Sequence, residues 1–158
     1  MVLNKDLKEF IGSLNDHGVK YLVVGGYAVG LYGYPRYTKD IDLWVWLDPE
    51  NAKKAIAAIR DFGFVSLGLK EADLLNPDNV IQLGQPPNRI DILVDLPSVS
   101  FEECYEKRKE ENFEGTTVNF IDKESLITTK KEAGRPQDKV DILKLLEAEP
   151  KKKRKGKK

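Results

Sequence analysis

Leu7, Phe10, Ile11 and Leu14 recur three or four positions apart within residues 4–16, and Gly18 follows where a helix would stop. That spacing predicts an amphipathic helix. Val19–Val24 is a short β-branched run, expected to be a buried strand that leads directly into the tight turn Gly25-Gly26. Tyr27–Tyr32 reads as a short helix closed by Gly33 and Pro35. From Asp40 to Leu47 the residues alternate, so Asp40, Asp42, Trp44 and Trp46 share one strand face. Residues 49–62 form a second amphipathic helix through Ala52, Ala55, Ile56 and Ile59, with Pro49 in its first turn and Gly63 beyond its end.

Farther along, Val80–Leu83 and Arg89–Val94 read as strands joined through the turn-rich segment Gly84–Asn88. Phe101–Glu111 is expected as a charged surface helix, Thr116–Phe120 as a short strand, and Lys123–Glu132 and Pro136–Leu146 as two final helices. No internal repeat is present. Strands and helices interleaved in this way predict an α/β (α+β) fold, a small mixed β-sheet flanked by helices.

Composition narrows the picture. A chain of 158 residues suits one domain, because a second core would leave each half marginal. Residues 1–149 are read as that domain and 150–158 as a disordered basic tail. Hydrophobic residues at 41% and charged residues at 33% are ordinary for a soluble globular chain. No apolar run reaches the roughly 18 residues that a membrane span requires. The first residues, Met1–Lys8, carry no pattern of a secretion signal, so a cytoplasmic location is expected. A single cysteine, Cys104, and a single histidine, His17, exclude an internal disulfide and a Cys/His zinc site. Any metal would be held by oxygen. The formal charge of zero hides an asymmetry, since Lys151–Lys158 contains seven of the 26 basic residues and leaves 19 against 26 acidic in the remainder. Such a tail could contact phosphates electrostatically, or serve only as a solubilising end.

The chemistry concentrates around the strand that begins at Asp40. Two carboxylates side by side on one face repel, and a divalent cation is their usual natural partner. Magnesium fits such a pair, because it is satisfied by one or two carboxylates together with water and substrate phosphates. Asp91 lies inside the apolar run Ile90–Val94, where an aspartate is disfavoured by propensity and burial. Pairing with Arg89 or Lys39 is the structural alternative for Asp91. Gly25-Gly26 stands at a strand end opening a helix, where backbone N–H groups and the helix dipole favour an anion.

With these pieces in place, the chain resembles the DNA polymerase β-like nucleotidyltransferase superfamily. The resemblance rests on Val23-Val-Gly-Gly26, thirteen intervening residues, Asp40-Ile-Asp42, and Arg89-Ile-Asp-Ile92. Gly25–Leu43 is similar in particular to stand-alone bacterial members related to AbiEii-type toxin nucleotidyltransferases, and Gly134–Asp141 resembles a closing segment of that group.

The resemblance implies transfer of a nucleoside monophosphate from a nucleoside triphosphate, such as ATP, to a hydroxyl or phosphate acceptor. Asp40, Asp42 and Asp91 would hold one or two Mg2+ ions, with Mn2+ as substitute, and Asp91 would orient or deprotonate the acceptor. Gly25 and Gly26 would cradle phosphate, and Arg36 and Lys130 could reach it. For those two cations a solvated surface position is the plain alternative. The acceptor, whether RNA, a small molecule or a protein, cannot be read from these residues, and a homodimer or a cognate partner protein could help bind it. A non-catalytic nucleotide- or partner-binding module of a toxin–antitoxin type pair is the alternative function. Arg135, Asp138 and Asp141 read as a helix cap with a local ion pair. Tyr27, Tyr32, Tyr34 and Tyr37 could stack on a base or pack in the core.

Overall fold

The computed structural model describes residues 3–33, 38–64 and 68–156, with side chains described through Ala148. Among the described residues, six helices and six strands follow one another as α1 (Lys5–Asp16), β1 (Tyr21–Val24), α2 (Gly25–Tyr32), β2 (Asp40–Val45), α3 (Pro49–Phe62), β3 (Val80–Leu83), β4 (Arg89–Leu93), α4 (Phe101–Glu106), β5 (Lys109–Phe113), β6 (Thr116–Phe120), α5 (Lys123–Ala133) and α6 (Pro136–Gly156). A short 3-10 turn at Glu71–Leu74, absent from the sequence expectation, precedes β3. The strands form one mixed sheet in the order β3-β4-β2-β1-β6-β5. Among the described residues, no helix is long and apolar enough to cross a membrane.

The helices start where their caps dictate. Asn4 accepts from the Leu7 N–H, Asp48 from Asn51, Ser100 from Glu103 and Asp122 from Ser125, each satisfying a backbone donor of the first turn. The start of α2 differs, because Val24 holds the cap position and its side chain caps nothing.

Leu7, Phe10, Ile11 and Leu14 of α1 are all buried, as their spacing predicts. Fully burying a side chain of this kind is worth about 1.5 to 3 kcal/mol. Phe10 meets Phe62 edge to face at 5.2 Å, which locks α1 against α3. β1 is buried at every position, as expected of a strand flanked by β2 and β6 inside the sheet.

Two regions depart from the sequence reading: α6 runs on to Gly156, past the Leu146 at which its predicted helix ends, and the segment after Phe101 is split. The charged helix expected over Phe101–Glu111 ends at Glu106, and Lys109–Phe113 forms the edge strand β5. It pairs antiparallel with β6 through a turn at Glu114 and Gly115, both at positive φ. Lys109, Glu110, Glu111 and Asn112 offer no apolar alternation, so the strand exists through its ladder rather than through a buried face. Charged residues also suit an edge, where they discourage pairing with other chains.

Candidate active site

Strand register assembles the site. β2 and β4 run parallel, with Asp40 opposite Arg89 and Asp42 opposite Asp91. Positions two apart on a strand share a face, so Asp40, Asp42, Arg89 and Asp91 all project together. The three carboxylates each offer an oxygen, and these oxygens lie within 4.8 Å of one another. Oxygen donors at that spacing fit a hard divalent cation, so the three together can hold a metal. The pairing of Asp91 with Arg89, expected as the structural alternative, is also present and reaches farther than one partner. Arg89 Nε donates to Asp91 Oδ1 at 3.0 Å, and Nη2 donates to Asp91 Oδ2 at 2.9 Å and to Asp40 Oδ2 at 2.7 Å.

Asp42 receives no hydrogen bond from Arg89 among those contacts. Burial raises its pKa to about 6, and the neighbouring charges of Asp40 and Asp91 push in the same direction, while Lys130 and Arg89 oppose them. This carboxylate is therefore held at a cost, as expected where a ligand rather than a fold determines the residue.

The glycine turn abuts the same group. Val24 pairs with Asp42 across β1 and β2, and Gly25 follows immediately at φ +69°. Glycine accepts that left-handed conformation without the clash a Cβ would bring. Gly25 and Gly26 open α2, and both line a cleft of about 390 Å³ with Thr38, Asp40, Asp42, Asp91, Lys130, Arg135, Gln137 and Asp138.

Lys130 corrects the surface expectation. It is only 7% exposed, and its Nζ sits 3.2 Å from Asp138 Oδ1 and 3.1 Å from Asp141 Oδ2, two carboxylates that are themselves buried. A lysine survives burial when it is paired in this way. α5 and α6 thus present a fixed cation to the cleft. Arg135 and Asp138 form the expected cap and local ion pair, whereas Asp141 is tied to Lys130 and Gln137 instead. Asp138 Oδ2 accepts from the Arg135 backbone at 3.1 Å and from its Nε at 2.7 Å, and Gln137 Nε2 donates to Asp141 Oδ1 at 2.9 Å. Chiefly through the Arg135 hydrogen bond, the Asp138 pKa is lowered to about 2.

Those residues also wall the cleft, which the cap reading did not foresee. Thr38, Gln137 and Arg89 were likewise not singled out for the site. Arg89 alone carried a usable signal, its place two positions before Asp91 on one strand face. Arg36, Tyr34 and Tyr37 lie outside the described residues. Tyr32 is buried and donates its hydroxyl to the Ile121 carbonyl at 2.7 Å, so it packs in the core.

The same fold occurs in solved structures of low sequence identity. A lincosamide antibiotic adenylyltransferase, LnuA, in its lincomycin-bound form, aligns with a TM-score of 0.57 at 19% identity, covering 91% of this chain and 96% of its own. A protein from Thermotoga maritima assigned as a nucleotidyltransferase aligns with a TM-score of 0.59 at 18% identity, covering 89% and 90%. An antigenic nucleotidyltransferase-like protein from Paracoccidioides brasiliensis aligns with a TM-score of 0.56 at 18% identity, covering 94% of this chain and 78% of its own. No curated protein matches the sequence. The family model described as nucleotidyl transferase of unknown function (DUF2204) matches residues 3–157, and the chain belongs to that family.

Proposed function

We propose that this chain is a magnesium-dependent nucleotidyltransferase, moving a nucleoside monophosphate from a nucleoside triphosphate to a hydroxyl or phosphate acceptor with loss of pyrophosphate. The observation that carries the reading is the convergence of three carboxylates, from two parallel strands, beside a glycine turn that opens a helix. Asp40, Asp42 and Asp91 are the residues that would hold the metal, as one ion or two, with Mn2+ able to replace Mg2+. Bound there, the ion would supply Lewis-acid polarisation of the phosphoryl group and a more acidic acceptor oxygen.

The chain's own groups divide the remaining work. Backbone N–H groups of Gly25 and Gly26, at a helix start that no side chain caps, donate to phosphate oxygens. Lys130, held by Asp138 and Asp141, lines the same cleft and is a further phosphate contact in this reading. Asp91 is the candidate to orient the acceptor and take its proton. Arg36 remains a proposed phosphate contact.

A small-molecule acceptor is the first to test, since a lincosamide adenylyltransferase is matched over 96% of its length by a chain of this size. RNA and protein acceptors belong in the same assay. A second reading, a non-catalytic nucleotide- or partner-binding module, draws support from Arg89, whose ion pairs compensate Asp40 and Asp91 without any metal.

One experiment separates the two. Wild type and Asp42→Asn are incubated with each labelled nucleoside triphosphate, Mg2+ or Mn2+, and pools of hydroxylated small molecules, including lincomycin, or mixed tRNA. Label transferred by wild type alone supports the enzyme and identifies its acceptor. Equal nucleotide binding by both proteins with no transfer by either supports the binding module.

A further inference from the structure

The metal-binding reading leaves Arg89 without a task, although its guanidinium lies among the very oxygens that would ligate the ion. Nη2 is within hydrogen-bond distance of both Asp40 Oδ2 and Asp91 Oδ2, and Nε takes the second Asp91 oxygen. Parallel register between β2 and β4 dictates this position, because Arg89 stands opposite Asp40 and two residues before Asp91. Its side chain is 31% exposed, so the guanidinium beside Asp40 and Asp91 is not sealed in the core.

A divalent cation on the same carboxylates would share their electron density with Arg89 and meet a unit positive charge a few ångströms away. At such a partly buried site water screens that repulsion only in part. Metal and guanidinium are therefore negatively coupled, whether or not the arginine moves. The phosphates of a nucleoside triphosphate reverse the balance, since their negative charge attracts both cations at once.

We infer that Arg89 is a built-in counter-cation of the carboxylate cluster, which keeps affinity for a lone divalent cation low and makes metal binding depend on the phosphates of the nucleotide. It holds Asp40 and Asp91 together between turnovers and acts on the metal through them, which makes it a positioning residue. This inference rests on the metal-dependent reading above.

The test is Mn2+ titration of the full chain, followed by electron paramagnetic resonance, with and without a non-hydrolysable nucleoside triphosphate analogue. Wild type, Arg89→Gln and Arg89→Lys are compared, and thermal unfolding of each is recorded with and without Mn2+. Without nucleotide, Arg89→Gln is expected to bind Mn2+ at least about tenfold more tightly than wild type, with Arg89→Lys close to wild type because the charge remains. The metal-free Arg89→Gln protein should melt lower than wild type, yet gain more from Mn2+. A residue with a merely structural role would lower both. With the analogue present, the difference in Mn2+ affinity should shrink.

If Arg89→Gln binds Mn2+ equally or more weakly without nucleotide, the inference is overturned and the metal reading stands. If no form binds Mn2+ even with the analogue, the metal reading fails and takes the inference with it. Should Arg89→Gln be unfolded when metal-free, Mn2+ must restore its circular dichroism spectrum, and a variant that stays unfolded in excess Mn2+ overturns the inference.

Discussion

A Cβ on Gly25 would stand 2.1 Å from Oδ2 of Asp42, well inside van der Waals contact. The first glycine of the turn and the second aspartate of the strand therefore form one steric unit. A side chain at position 25 and the observed Asp42 rotamer exclude each other.

Gly25→Ala tests that unit. The carboxylate is the movable partner, so the variant should fold while Asp42 swings away from Asp40 and Asp91. Strain at the positive φ should cost about 1 to 2 kcal/mol of stability. Nucleotidyl transfer should fall by about a hundredfold or more, as expected when a reacting geometry is lost. Chemical denaturation and transfer assays on the same preparation check both parts. Full activity in Gly25→Ala would show that Asp42 tolerates displacement.

Asp42→Asn should stabilise the metal-free protein at neutral pH by about 3 kcal/mol while removing transfer. The sign follows from a carboxylate whose folded pKa is raised. The folded state binds the proton more tightly than the unfolded chain, so ionisation penalises folding. That penalty begins as pH rises above about 4 and is complete above about 6. Denaturation midpoints of wild type, measured in chelator, should fall below those of the variant across this window and converge with them under more acidic conditions.

Asp138 has the opposite sign. Its folded pKa, lowered to about 2, contributes stability that is present above the ordinary aspartate value and is lost as pH falls from about 4 towards about 2. Asp138→Asn should flatten the acid limb of the stability curve in that interval. Acid titration followed by circular dichroism reads the difference, and parallel curves for the two proteins would contradict the assignment.

Lys130→Met should be among the most damaging single changes. It leaves Asp141 and Asp138, at 0% and 1% side-chain exposure, short of a buried cation. Breaking one side of a buried ion pair costs about 3 to 5 kcal/mol. Urea denaturation supplies the number, and a loss below about 1 kcal/mol would mean that water or Arg135 takes over the compensation.

Helices α1 and α3 and the central strands were legible because their apolar residues repeat at 3.6 or 2 positions and turn or cap residues stand at their ends. α3 begins at Pro49 and ends at Phe62, where Pro49 and Gly63 said it should. β5 was not legible, since Lys109–Asn112 contains no hydrophobic period and pairs only because β6 presents a free edge. The burial of Lys130 was illegible for a related reason. Sequence assigns lysine to solvent by default, and the two carboxylates that compensate its burial come from another helix.

The candidate site divides in the same way. Spacing alone put Asp40 and Asp42 on one face and marked Asp91 as out of place in an apolar strand. Local sequence determines such facts, because side-chain direction along a strand is a property of the backbone. Only the tertiary structure could decide that β2 and β4 are parallel neighbours in a register that sets Asp42 against Asp91 and Arg89 against Asp40. Only it could bring Lys130, Arg135 and Asp138 to the same cleft as Gly25. Those relationships connect residues tens of positions apart, and what joins them is the packing of the sheet and helices, which no local period encodes.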